Sequence, residues 1–242
     1  PIDTTISGAC VVETTVTNAP VYITDTGTPT SVGATVADSD VILAFAAGTY
    51  TYVASSDTLT GSGTGITFEN TSSSIVIGAA GVNAGAADVV LTAFTSISDA
   101  AGGVLTADEA TLTAGSFIGT GPVLPPGPYV ATNPLDTEVN TLTATASAGS
   151  VFIDETSAVT LSATATGTGN DVAVVAGGTL TVDGVTSPDF VHLQSTGGSV
   201  LALAAGTSIT GATADLRATV AIGSLVTPLG TSVSSMSATA TG

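Results

Sequence analysis

Asn133-Pro134-Leu135-Asp136-Thr137-Glu138-Val139-Asn140-Thr141-Leu142-Thr143-Ala144-Thr145-Ala146 returns as Thr227-Pro228-Leu229-Gly230-Thr231-Ser232-Val233-Ser234-Ser235-Met236-Ser237-Ala238-Thr239-Ala240. The same passage is under way at the first residues, Pro1-Ile2-Asp3-Thr4-Thr5-Ile6. Recurrence of this kind marks a repeat architecture, in which each unit buries its apolar face against its neighbours. The first copy lacks its opening, so the sequence reads as a segment of a longer repetitive polypeptide.

The match extends outward from this motif. Ala110-Thr111-Leu112-Thr113-Ala114-Gly115-Ser116-Phe117-Ile118-Gly119 aligns with Ala214-Asp215-Leu216-Arg217-Ala218-Thr219-Val220-Ala221-Ile222-Gly223, an offset of 223 − 119 = 104. The Pro-Leu motif has an offset of 228 − 134 = 94. The difference of ten falls at Pro122-Val123-Leu124-Pro125-Pro126-Gly127-Pro128, a loop inserted at 122–128, because four prolines cannot pair inside a sheet. Val21-Tyr22-Ile23-Thr24-Asp25-Thr26 likewise parallels Val151-Phe152-Ile153-Asp154-Glu155-Thr156. The approximate long repeats are 1–133, 134–227 and a partial 228–242, within one elongated segment spanning 1–242.

A shorter beat runs inside the long one. Runs such as Ser74-Ile75-Val76-Ile77, Asp88-Val89-Val90-Leu91, Ser150-Val151-Phe152-Ile153, Asp171-Val172-Ala173-Val174 and Ser199-Val200-Leu201 alternate apolar and small polar residues between turn formers. The interval from Ser150 to Asp171 is 171 − 150 = 21, and that from Asp171 to Ser199 is 199 − 171 = 28. Both spacings suit one coil of a β-solenoid. Stacked about 4.8 Å apart, such coils bury their inward Val, Ile, Leu and Ala continuously, which no coil does alone. The fold class is therefore all-β, a parallel β-helix. The alternative is an array of tandem immunoglobulin-like β-sandwiches, which a chain without Trp and with so variable a repeat fits less well.

Composition narrows the partners. One Lys or Arg, Arg217, stands against nineteen Asp and Glu, a net charge of −18. Nucleic acid needs several cations to neutralise phosphates, so it is excluded as a partner. An anionic membrane surface is disfavoured on the same ground. Mean hydropathy is +0.57, yet the longest apolar run, Val41–Ala47, falls far short of the roughly 20 residues of a spanning helix. No membrane insertion is expected. The near absence of Lys and Arg leaves few sites for trypsin-like proteases, a property that suits an extracellular location. The single Cys10 can form no intrachain disulfide, and its apolar surroundings suggest a buried thiol.

Asn133-Pro134-Leu135-Asp136-Thr137-Glu138-Val139 with Leu142-Thr143-Ala144, Ser150-Val151-Phe152-Ile153-Asp154-Glu155 and Gly177-Gly178-Thr179-Leu180-Thr181-Val182 resemble units of the filamentous-haemagglutinin-like giant repeat adhesins of bacterial surfaces. The resemblance is best over roughly 105–242. It implies a right-handed parallel β-helix, export to the cell surface, and a role in adhesion or extracellular fibres. It transfers no catalytic residue. Gly230 departs from the pattern set by Asp3 and Asp136.

The residues that carry chemistry are few. His192, in Phe190-Val191-His192-Leu193-Gln194, alternates against Val191 and Leu193, so it is expected on the surface. Ser195 lies close by in sequence, in what reads as a turn, and spacing shows no catalytic triad. Asp108-Glu109 and Asp154-Glu155 are adjacent pairs, which a strand sends to opposite faces, so neither forms a dyad by itself. Asp171 and Asp183 are weak Ca²⁺ candidates at corners; neither a calcium-roll nor an EF-hand pattern occurs. Asn70-Thr71-Ser72 is an N-glycosylation sequon. Thr-x-Thr recurs, but at spacings too irregular for a flat ice-binding face.

The expectation is a non-enzymatic extracellular structural or adhesive protein without cofactor, catalytic residue or metal site. It would self-associate through solenoid ends or sides, with surface glycans as a further ligand class. The competing readings are a β-helix carbohydrate-active enzyme or glycan-binding module, and an ice-binding module.

Overall fold

The computed structural model describes residues 2–4, 9–14, 21–25, 31–36, 41–45, 50–51, 59–60, 66–70, 74–79, 81–121 and 132–242; side chains are described at 68–69, 74–79, 81–121 and 132–242. The described residues contain strands and no helix, so none could cross a membrane as a helix. The chain forms two compact units, Pro1–Gly115 and Ser116–Gly242. The 122–128 insertion and the side chains of Cys10 and Asn70 lie outside the described residues.

In the first unit the strands are β1 (Ile2–Thr4), β2 (Ala9–Thr14), β3 (Val21–Asp25), β4 (Ser31–Val36) and β5 (Val41–Phe45). They are followed by β6 (Tyr50–Thr51), β7 (Leu59–Thr60), β8 (Ile66–Asn70), β9 (Ile75–Ile77) and β10 (Val82–Asn83). β11 (Val89–Ala93), β12 (Ile97–Asp99) and β13 (Val104–Ala114) complete it. One column of parallel pairs runs β1, β3, β5, β8, β11, β13, through Ile2↔Ile23, Val21↔Val41, Val41↔Ile66, Ile66↔Val89 and Val89↔Ala110. Each of these steps, such as Val21 to Val41 or Val41 to Ile66, is one coil.

The second unit holds β14 (Leu135–Ala146), β15 (Val151–Glu155), β16 (Val159–Ala165), β17 (Val172–Ala176) and β18 (Leu180–Thr186). It continues with β19 (Phe190–Ser195), β20 (Val200–Ala202), β21 (Ser208–Ala218) and β22 (Gly230–Ala240). Every strand pair here is parallel as well. Parallel strands stacked coil on coil make a β-solenoid, and the sandwich alternative, which requires antiparallel layers, is overturned. An isolated antiparallel bridge joins Thr120 to Asn133, at the base of the proline-rich insertion.

Alternation explains the core. β14 and β16 show buried residues at every second position through most of their length. The inward residues stack in rows across coils: Val151, Val172, Val191 and Ala214; Ile153, Val174, Leu193 and Leu216; Leu142, Leu161, Val182 and Ala202. Nearly all are 0–1% exposed, and each buried Val, Leu or Ile contributes about 1.5–3 kcal/mol. Alanine ends two of these three rows, at Ala214 and Ala202. Threonine ties the corners: Thr196 Oγ1 donates to the Ala176 carbonyl and Thr219 Oγ1 to the Gly198 carbonyl, both at 3.1 Å.

The expected spacing needs one correction. Val151 stacks on Val172, in keeping with the interval from Ser150 to Asp171. Val172, however, stacks next on Val191, while Val200 follows Leu180. The longer interval from Asp171 to Ser199 therefore joins two different columns. A strand opening of Asp or Ser followed by Val occurs on both, so the marker alone does not say which column a strand belongs to.

Candidate functional site

The second unit concentrates its interior polar chemistry in two places. The first is the corner after β15. Adjacent Asp154 and Glu155 diverge: Asp154 is exposed, and Glu155 turns inward at 0% exposure. Its Oε2 accepts from the Thr137 hydroxyl (2.8 Å) and the Val139 N–H (3.0 Å). Its Oε1 accepts from the Ser157 N–H (2.8 Å) and the Ser157 hydroxyl (2.7 Å). Burial pushes the carboxyl above its usual range, against the pull of these four donors. One carboxylate thus satisfies the backbone where the chain turns from one column to the next. Asp154 meets Asp136 across coils, and both are shifted upward: Asp154 by burial, Asp136 by burial and then by its neighbour's charge.

The second place is the outward side of β19. The expectation of a surface His192 is wrong. Alternation does set it opposite Val191 and Leu193, but cross-coil register stacks it in a row of Phe152, Ala173, His192 and Asp215, none more than 7% exposed. His192 itself is 0% exposed, with the Phe190 ring stacked on it at 6.3 Å. Its Nδ1 lies 3.0 Å from Asp215 Oδ2, and the same oxygen accepts from Arg217 Nε at 2.9 Å. The chain's one imidazole and one guanidinium therefore meet on a single carboxylate oxygen. Burial lowers the His192 pKa, opposed by the Asp215 charge and by the hydrogen bonds to Asp215 and Gln194. The other ring nitrogen, Nε2, lies 3.4 Å from Gln194 Oε1.

This cluster is not a hydrolytic triad. Ser195 is the last residue of β19 rather than part of a turn, and its Oγ donates to the Gly178 carbonyl at 2.6 Å. Asp215 and Arg217 escaped the sequence reading, although Asp215 follows His192 by one coil and pairs with it directly.

The remaining candidates are dispersed. Asp108 and Glu109 are both exposed, because β13 turns a corner there and alternation lapses between buried Ala107 and buried Ala110. Asp171 is 3% exposed just before β17, its Oδ1 accepting from the Phe190 N–H at 3.2 Å. Burial, with a smaller push from Asp189, raises its pKa to about 6. Asp183 is exposed at the register shift between β16 and β18, where Leu161 pairs with Val182 and Ser162 with Gly184. Among the described residues no group of three or more His, Cys, Asp or Glu is arranged to hold a metal. Asn70 ends β8.

Register aligns the threonines only in part. Their sequence spacing is irregular, yet register aligns Thr145, Thr164, Thr186 and Thr210 into one row. Corner loops absorb the length differences. The neighbouring rows are broken by Gly184 opposite Ser162 and by Leu201 opposite Thr181, so no continuous threonine array forms among the described residues.

No protein-family model, curated protein or solved structure matches this chain.

Proposed function

We propose that this chain is a non-enzymatic structural or adhesive protein of the bacterial surface, a stiff solenoid segment that builds a fibre or surface layer by coil stacking and association. One observation carries this reading. The interior polar side chains Glu155, Thr137, Ser195, His192 and Asp215 bond to the scaffold's own groups instead of converging on an open cleft. Two grooves of the second unit, one lined by Leu216, Ile222, Leu225, Leu229 and Met236 and the other by Thr196, Arg217, Thr219 and Thr239, carry a single charged side chain, Arg217. The resemblance to filamentous-haemagglutinin-like repeats supports the extracellular placement, as does the scarcity of Lys and Arg.

Electron microscopy and sedimentation of the purified chain test the proposal. Elongated particles that lengthen with concentration are expected, with no turnover of a polysaccharide panel. A compact, monodisperse particle that depolymerises a glycan would refute it.

A further inference from the structure

Two stacked strand pairs share their inward residues and differ on their outward side. Val89, Leu91 and Ala93 of β11 meet Ala110, Leu112 and Ala114 of β13. Val191, Leu193 and Ser195 of β19 meet Ala214, Leu216 and Ala218 of β21 in the same way. Between them, β11 and β13 place Val90 on Thr111 and Thr92 on Thr113. The second pair has His192 on Asp215 and Gln194 on Arg217 at those positions. The solenoid therefore builds this face without an imidazole, a carboxylate or a guanidinium. Burying the first two costs desolvation energy that Val and Thr do not. The result of the exchange is one guanidinium held in place. Asp215 Oδ2 is fixed by His192 Nδ1 at 3.0 Å and accepts from Arg217 Nε at 2.9 Å. Only the Nε edge is engaged; no further hydrogen bond reaches the terminal Nη groups among the described residues. The Arg217 side chain is 42% exposed.

Arg217 lines a groove of about 420 Å³ with Gln194, Thr196, Thr219, Thr239 and Thr241. Gln194, Arg217 and Thr239 form one row across three successive coils, and the other threonines follow the ends of the same strands. The groove runs along the side of the stack. A further coil would lie beyond Thr239 and leave Gln194, Thr196, Arg217 and Thr219 open. Thr196 and Thr219 give their hydroxyl protons to the Ala176 and Gly198 carbonyls, so toward the groove they present lone pairs. Arg217 presents N–H donors beside them. A sugar hydroxyl both accepts and donates, so neighbouring hydroxyls on one ring can bond to the guanidinium and a threonine oxygen together. Asp215 offsets the Arg217 charge, and a chain of net charge −18 repels polyanions, so the fit is to a neutral sugar. The volume lies within the range of small-ligand sites.

We propose that this groove binds a neutral glycan. Arg217 and the threonine hydroxyls touch the sugar, and His192 and Asp215 are positioning residues that aim the guanidinium. No aromatic side chain lines the groove, so a single site is weak, and many copies in one assembly supply avidity. The site rests on the adhesive side of the proposed function and gives it a ligand class.

Arg217 is the only arginine, so isotope-labelled arginine gives the full chain a single side-chain Nε–H resonance. Cellobiose, maltose, lactose and mannobiose are titrated against that signal, with glucuronate and sulfate as anionic probes. At least one neutral disaccharide should give a saturable shift, with a Kd on the order of 1–10 mM. The combined variant His192→Val, Gln194→Thr, Asp215→Thr and Arg217→Thr restores the face that β11 and β13 carry. It should unfold in urea as the parent does, and saturation transfer from the protein to the sugar should vanish. Asp215→Asn keeps Arg217 and the shape of its partner, and should weaken binding severalfold. No shift with any neutral disaccharide would overturn the site, as would shifts with glucuronate and sulfate alone or unchanged affinity in Asp215→Asn. Particles that still lengthen with concentration after such a failure leave the fibre reading standing. Compact particles that bind the sugar remove the fibre and keep the site.

Discussion

Leu135–Ala146 and Leu229–Ala240 are one sequence passage in two surroundings. In the first, Leu135, Thr137 and Leu142 are each 0% exposed, and Val139 is 2% exposed. In the second, their counterparts Leu229 and Val233 are partly exposed, Thr231 is exposed, and Met236 is 53% exposed. β15 and β16 pair with β14, whereas β22 pairs only with β21 among the described strands. Burial of a solenoid coil is therefore a property of its neighbours. The alternating pattern states which residues face inward; it cannot state whether anything will lie on top of them.

Matched substitutions break or sharpen this contrast. The largest difference is expected at a glycine pair. Gly119 and Gly223 are motif copies with φ of +63° and +71°. A Cβ on Gly119 would meet the Phe152 carbonyl oxygen at 2.1 Å and the Leu135 nitrogen at 2.6 Å, whereas on Gly223 its nearest neighbour is the Leu229 nitrogen at 3.5 Å. Gly119→Ala should cost more than about 3 kcal/mol and Gly223→Ala about 1–2 kcal/mol, the left-handed penalty alone. Urea unfolding measures both, and equal losses would mean that the two copies have the same surroundings.

Next comes the buried carboxylate. Glu155→Ala strands the Thr137 hydroxyl and the N–H groups of Val139 and Ser157, with an expected loss of about 3–5 kcal/mol. Thr231→Ala, at the counterpart of Thr137, should change stability by less than about 0.5 kcal/mol. Leu142→Ala should then cost about 2–5 kcal/mol by leaving a cavity, against less than about 1 kcal/mol for Met236→Ala. A Met236→Ala loss as large as that of Leu142→Ala would show that β22 is covered in solution.

The smallest effect is on pH dependence. The folded pKa of Asp171, about 6, lies above its unfolded value, so its contribution is present at low pH and is lost as pH rises through about 6. His192 has the opposite sign: its folded pKa is lowered, and stability falls as pH drops below about 6.5, the unfolded value. Asp171→Asn should remove a loss of about 1–2 kcal/mol between pH 4 and 7, solvent screening keeping it below the full shift. His192→Gln should remove the decline on the acid side. Thermal melts across pH 4–8 separate the two, and an unchanged slope in Asp171→Asn would refute the assignment.

Repeat identity and alternation by themselves determined a good deal. They gave the all-β class and the stacked coils. They also matched β13 to β21 and β3 to β15, because inward Val, Ile and Leu at every second position admit few other folds. Register was not legible. Corner loops vary in length, so counting residues assigned Val200 to the wrong column and scattered threonines that in fact align. Register depends on which backbone groups meet across a whole coil, an outcome settled by the entire stack at once. Tertiary structure alone buried His192 against Asp215, brought Arg217 to the same oxygen and turned Glu155 into a corner's acceptor. A polar residue's environment is set by the coils above and below it, and local sequence carries no record of them.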